Sequence, residues 1–283
     1  MSDLTTTQHW LLANKFGEIS HYSPVGGGCI NNTGRLSLRS GKTLFVKQHD
    51  NPPDGFFAAE AEGLHALRQA GTLRVPQVVH VDAHYLLLED LGNGSPNPAY
   101  WTELGQQLAA LHLVESASFG FSSDNFCGIT PQINPMINDG VEFFGQYRLA
   151  ALVAIADKKG LLQTSDMNAL ESLIARLGSL IPDQPPVLIH GDLWSGNIHC
   201  DKEGQPALID PACYWGWAEA EMSMTILFGE FDPRFYSAYE ESSNIDKDWR
   251  ERAELYNLYH LLNHLILFGA SYLGQVRAVL NRY

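Results

Sequence analysis

The sequence is short of positive charge, short of cysteine and without a long apolar run. Lysine and arginine total 18 against 32 acidic residues, a formal net charge of −14. Such a surface repels phosphate backbones and anionic membranes, so nucleic acid is not expected as a partner. Any phosphate-bearing ligand must then meet local positive charge or backbone N–H groups. No apolar stretch approaches the ~20 residues needed to span a bilayer. The N-terminus, MSDLTTTQHW, lacks a basic segment followed by an apolar one, so no secretory signal is expected. Four cysteines, Cys29, Cys127, Cys200 and Cys213, are too few and too scattered for a disulfide scaffold. They fit a reducing cytoplasm. Internal repeats, low-complexity segments, a Walker A motif and a GxGxxG are also missing.

What is present is material for a core. Hydrophobic residues make up 45% of 283, which excludes a disordered chain and suits one large domain or two coupled lobes. The first ninety residues read as strand-rich. Arg35 to Leu38 alternates, Ser40-Gly41 turns, and Thr43 to Lys47 returns. Phe57 to Ala70 reads as a helix, with Leu64 and Leu67 three apart. Val78 to Val81 and Tyr85 to Leu88 read as a hairpin, followed by the turn-rich LGNGSPNP. Beyond it, residues 100–114, 141–159, 167–180 and 249–280 read as helices, broken by two short apolar strands at 187–190 and 207–210. The expected architecture is α+β and bilobal: a small antiparallel-sheet lobe with one helix over 1–91 and a larger, mainly helical lobe over 92–283.

The chemistry concentrates in VLIHGDLWSGNIHCDKEGQPALIDP, residues 187–211. One apolar strand ends in His190-Gly191-Asp192, Asn197 lies five residues past Asp192, and a second strand delivers Asp210. Phosphoryl transfer from ATP needs such a set. One carboxylate takes the proton of the acceptor hydroxyl, while an amide oxygen and a second carboxylate suit Mg²⁺, a hard cation. Asp-x4-Asn followed by a strand-borne Asp matches the order of a kinase catalytic loop and its metal-binding Asp. A hydrolytic metal centre on His190, Asp192, His199 and Asp210 is the rival reading, but it leaves the glycine loop and Lys47 without a task.

The first lobe supplies the remaining parts. PVGGGCINNT carries Gly26, Gly27 and Gly28, where backbone N–H groups can approach phosphate oxygens; a plain flexible turn reads the same way. Lys47 ends its strand in position to reach the α/β-phosphates, and either Glu60 or Glu62 on the following helix could pair with it. The backbone of Glu89 and Leu91 is placed to meet an adenine edge, although a buried edge strand looks no different. Trp194, Tyr214, Trp215 and Trp217 cluster in sequence around Asp192 and Asp210. Trp194 and Tyr214 are the candidates for the acceptor side, because aromatic faces pack on sugars and attract amines.

HGDLWSGN (190–197), DPACYWG (210–216), GGGCIN (26–31), FVK (45–47) and the AEAEGL and VPQV stretches together resemble the fructosamine kinase (ketosamine-3-kinase) family. This family is a member of the aminoglycoside phosphotransferase-like branch of the kinase fold. The resemblance runs from about residue 10 to the tail LYHLLNHLILFG. It implies ATP- and Mg²⁺-dependent phosphorylation of the 3-hydroxyl of a ketosamine, a deglycation step. The kindred alternative is another small acceptor, such as an aminoglycoside or choline. Carried over by motif, Asp192 becomes the base, Asn197 and Asp210 the magnesium ligands, Lys47 the phosphate lysine and Glu60 its partner. The resemblance also points to Cys29 as a residue that can form redox-sensitive, disulfide-linked dimers. One departure stands out: where the family commonly has E-x-D-L-A-M, this chain has Glu219-Ala220-Glu221-Met222-Ser223-Met224, with the second acid one methylene longer.

Overall fold

The computed structural model describes residues 4–26 and 31–283. Helix α1 (Thr5–Ala13) opens the chain, followed by strands β1 (Ile19–Val25), β2 (Asn32–Leu38) and β3 (Thr43–Gln48). Helix α2 (Phe56–Ala70) leads to β4 (Val78–Val81) and β5 (Tyr85–Glu89). The five strands form one antiparallel sheet in the order β1-β2-β3-β5-β4. Alternation of side chains gives the sheet two buried faces. Leu36, Leu38, Leu44, Val46, Tyr85 and Leu87 join Leu11 of α1 on one face. Leu86 and Leu88 join Phe57, Leu64 and Leu67 of α2 on the other. Two helices therefore serve this lobe, where the sequence suggested one. The pattern TTTQHWLLA buries only Thr7 and Leu11, too sparse a repeat to announce a helix.

The larger lobe begins with α3 (Tyr100–Leu111) and the short hairpin β6 (Asn125–Cys127) and β7 (Thr130–Gln132). A continuous helical run follows: α4 (Gly140–Glu142), a π-helical stretch Phe143–Ala150 and α5 (Ala151–Lys158). Helix α6 (Thr164–Leu180) starts on a capping box between Gln163 and Asp166. Strands β8 (Val187–Ile189), β9 (Ile198–Cys200), β10 (Pro206–Leu208) and β11 (Tyr214–Gly216) pair as β9 with β10 and β8 with β11. Helices α7 (Ala218–Leu227), α8 (Pro233–Ser242), α9 (Trp249–Phe268) and α10 (Leu273–Arg282) complete the lobe. Thirteen of the twenty residues of α9 are buried, so it is the central post of this core. Arg148, fully buried in the π-helical stretch, is covered by the rings of Phe143, Tyr214 and Tyr259. Among the described residues no helix is long and apolar enough to cross a membrane.

The arrangement is the bilobal α+β one expected from the sequence. Backbone bonds stitch the lobes together: Lys202 N–H donates to Leu91 C=O at 2.9 Å, and Leu208 N–H donates to Arg74 C=O at 2.8 Å. The salt bridge Arg35–Asp90, at 2.6 Å, fixes the end of β5 to the sheet.

Candidate active site

A cleft of about 440 Å³ separates the lobes, a volume in the range of small-ligand sites. Its roof comes from β3. Since Leu44 and Val46 face α1, strand alternation turns Phe45 and Lys47 toward the cleft and α2. The Lys47 side chain is 3% exposed, and its Nζ lies 2.6 and 2.7 Å from the two oxygens of Glu60. Across the cleft it also lies 3.0 Å from Asp210 Oδ1. Burial works against its charge, but the carboxylates of Asp210 and Glu60 outweigh that and hold the ammonium above its ordinary pKa. Glu62 turns elsewhere and accepts the hydroxyls of Ser122 and Ser123.

The floor is the loop after β8. His190 is fully buried and bonded through both ring nitrogens: Asp192 N–H donates to its Nδ1 at 3.3 Å, so Nε2 carries the proton given to Ile209 C=O at 2.9 Å. Burial lowers its pKa, which keeps the imidazole neutral. The N–H groups of His190 and Gly191 both donate to the carboxylate of Glu221. The longer acid at 221 therefore makes both bonds, and the departure in sequence leaves the loop anchored. Gly191 has φ +82°, and a Cβ there would lie 2.2 Å from the carbonyl of Ala212, so only glycine fits this bend.

Asn197 ends the same loop. Its Nδ2 donates to the Asp192 carbonyl at 2.7 Å and to Asp192 Oδ2 at 3.1 Å. Asn197 lines the cleft together with Asp210, whose side chain is 44% exposed. Asp210 itself sits at φ +57°, in the left-handed region. Two hard oxygen donors of this kind fit Mg²⁺. The carboxyl of Asp192 is pushed up to about 7: burial is the main cause, the negative charges of Asp210 and Glu221 add to it, and the bond from Asn197 opposes it.

Gly26, Glu89, Leu91 and Trp194 also line the cleft. Gly27 and Gly28, with Cys29, lie outside the described residues. The Leu91 carbonyl is taken by Lys202, while its N–H has no partner among the described residues, as an adenine-facing group requires. Glu89 holds Arg74 through both oxygens, at 2.6 and 3.0 Å. Trp194 is 37% exposed and meets Phe228 edge-on. It can lie down only because residue 196 is glycine: a Cβ there would stand 2.3 Å from the indole. Tyr214 is a correction. Its pairing with Ile189 turns the ring inward, over the Arg148 guanidinium at 4.0 Å, and it contributes nothing to the cleft surface.

Sequence reasoning missed Phe126 and Cys127 of β6 and Asn263, His264 and Phe268 of α9, which close the cleft beside Asp192. The Asn263-His264 pair inside the mostly apolar second half of α9 was the available signal. The hydrolytic metal reading fails on geometry: among the described residues, no three of His190, Asp192, His199 and Asp210 bring their ligand atoms within 4.8 Å of one another, and both ring nitrogens of His190 are already engaged.

With this geometry in hand, similarity to known proteins is informative. A family model described as fructosamine kinase matches residues 2–283. A probable ketoamine kinase of Synechocystis sp. is 39% identical over 265 residues, covering 91% of this chain and 88% of the relative. A chloroplastic protein-ribulosamine 3-kinase of Arabidopsis thaliana is 36% identical over 289 residues, covering 98% and 86%. Among solved structures, one from Thermobifida fusca, provisionally named a fructosamine-3-kinase, superposes with a TM-score of 0.89 at 32% identity, covering 98% of this chain and 97% of that one. An aminoglycoside phosphotransferase in complex with gentamicin reaches 0.64 at 14% identity, covering all of this chain and 95% of that one, a likeness of fold alone.

Proposed function

The chain belongs to the fructosamine kinase family, and from that premise we propose that it transfers the terminal phosphoryl group of ATP to the 3-hydroxyl of a ketosamine, a fructosamine or ribulosamine. The observation that carries this reading is the single cleft in which Lys47, paired with Glu60, meets Asp210 from the opposite lobe while Asp192 and Asn197 stand on the floor. Lys47 and the loop containing Gly26 would bind the phosphates, and the free Leu91 N–H would meet the adenine edge. Asp192 would accept the hydroxyl proton as the oxygen attacks phosphorus, a task suited to a carboxyl with a pKa near neutrality. Asn197 and Asp210 would hold Mg²⁺, which when bound neutralises charge on the phosphates. Trp194 would lie against the acceptor sugar or its amine.

The test is ADP release with a fructosamine and a ribulosamine, set against free fructose, an aminoglycoside and choline, with and without Mg²⁺. The reading expects a ketosamine to be preferred and fructose, which lacks the amine, to lose most of kcat/KM. Preference for choline or the aminoglycoside would keep the kinase and overturn the acceptor.

A further inference from the structure

Cys127 at the end of β6, Asp192 in the catalytic loop and His260 on α9 bring a thiol, a carboxylate and an imidazole together. Their ligand atoms all lie within 4.8 Å of one another. Asp192 Oδ1 is 4.0 Å from His260 Nδ1, and that buried nitrogen has no hydrogen-bond partner among the described residues. His260 as a whole is 6% exposed. Phosphoryl transfer gives neither Cys127 nor His260 anything to do, and an imidazole nitrogen left bare beside an unpaired carboxylate oxygen calls for a bridging partner.

We propose that Cys127, Asp192 and His260 form a site for a thiophilic divalent cation, Zn²⁺ foremost, and that occupation arrests the kinase by capturing its base. The inhibitory half rests on the role of Asp192 given above; the binding half does not. Sulfur, nitrogen and oxygen donors in one pocket are the ligand set of zinc, with bonds of about 2.0–2.3 Å. Tetrahedral bonds of that length put neighbouring ligand atoms ~3.3–3.8 Å apart, so closure asks for about 1 Å of side-chain movement. Charge balances: a thiolate and a carboxylate neutralise the cation while the imidazole binds neutral. The thiol proton leaves to solvent as the sulfur–metal bond forms. Mg²⁺ would avoid the sulfur and keep to the oxygens of Asn197 and Asp210, so the two cations have separate addresses. Cys127 and Asp192 both line the cleft, which supplies the entry path, and the fourth position stays open to water.

Co²⁺ added to the metal-stripped full chain, without ATP or sugar, is the probe of binding. The expected result is a thiolate-to-cobalt charge-transfer band at one equivalent, lost in Cys127→Ser and requiring at least ~10-fold more metal in His260→Ala, since even indirect losses at metal sites cost ~10–100-fold. Zn²⁺ should then inhibit ADP release at saturating Mg·ATP, with the half-inhibitory concentration raised at least ~10-fold in whichever of the two variants folds. A cobalt band that survives Cys127→Ser overturns the site. Zinc inhibition unchanged in both variants overturns the inhibitory half, with the cation then acting at Asn197 and Asp210. A normal cobalt band with no ketosamine-dependent ADP release keeps the site and removes the kinase reading beneath the inhibition.

Discussion

Replacing Glu221 by glutamine isolates what the buried acid of α7 does for the loop that carries Asp192. Glu221 is 1% exposed, and its two oxygens accept the N–H groups of His190 and Gly191, the residues that lead into Asp192. Glutamine keeps the shape but can accept from only one of them and turns an NH₂ toward the other. Losing one charge-assisted bond costs ~1.5–3 kcal/mol, and a buried N–H left without a partner adds ~1–3 kcal/mol. Relief from burying a carboxylate offsets part of this, so a net loss of ~3 kcal/mol is expected. At about 2–4 °C per kcal/mol for a chain of this size, Tm should fall by ~6–12 °C. A second readout comes from charge. Glu221 is one of the negative groups that raise the pKa of Asp192. As the proposed base, Asp192 would work unprotonated, so kcat/KM should fall as pH drops through its pKa, and removing the Glu221 charge should move that limb to lower pH. Glu221→Asp is the control: it shortens the reach but keeps the charge, so it should lower Tm and leave the limb nearly in place. A Glu221→Gln enzyme that melts within ~2 °C of the parent and keeps its acid limb would refute the reasoning.

Asp192→Asn should cost kcat ~10²–10⁴-fold with ATP binding retained. Because the Asp192 pKa is raised from 3.8 to about 7 in the fold, the parent loses stability progressively between those two values as its unfolded chain ionises first; the variant should therefore melt higher than the parent at pH 8, with the gain fading as pH falls below 3.8, where folded and unfolded parent are both protonated. Lys47→Met leaves two carboxylates facing each other and should destabilise by ~3–5 kcal/mol in a denaturant titration. Lys47→Met/Glu60→Gln should regain most of that stability without regaining turnover. Trp194→Ala should lower kcat/KM for a ketosamine by ~2–30-fold, the equivalent of ~0.5–2 kcal/mol of ring contact, and leave background ATP hydrolysis unchanged. A uniform loss in both reactions would place the indole in the scaffold instead.

Lys47, Asp192, Asn197 and Asp210 were legible in the sequence because their spacing along a strand or within one loop sets their geometry. Strand alternation turns Lys47 away from Leu44 and Val46, and the five-residue step from Asp192 lets Asn197 fold back on it. The choice between Glu60 and Glu62 was open in the motif, yet the helix repeat contained the answer. Glu60 precedes Leu64 by four and Leu67 by seven, so it shares their buried face, while Glu62 is turned some 200° from Glu60 and meets Ser122 and Ser123. Tyr214 misled because nearness in sequence to Asp210 says nothing about which side of a short strand faces the cleft. That was settled by Arg148, sixty-odd positions earlier, whose guanidinium takes the ring. Helix α9 shows the limit more plainly. Buried nearly all round, it carries no amphipathic stripe that would separate cleft-facing residues from packed ones. Asn263 is oriented by a bond to the carbonyl of Cys127, 136 residues away. A local pattern can encode a helix phase or a loop step. The polar groups that close this cleft take their positions from partners brought together by the whole lobe, which is why the residues of the loop could be singled out before the fold and the wall opposite it could not.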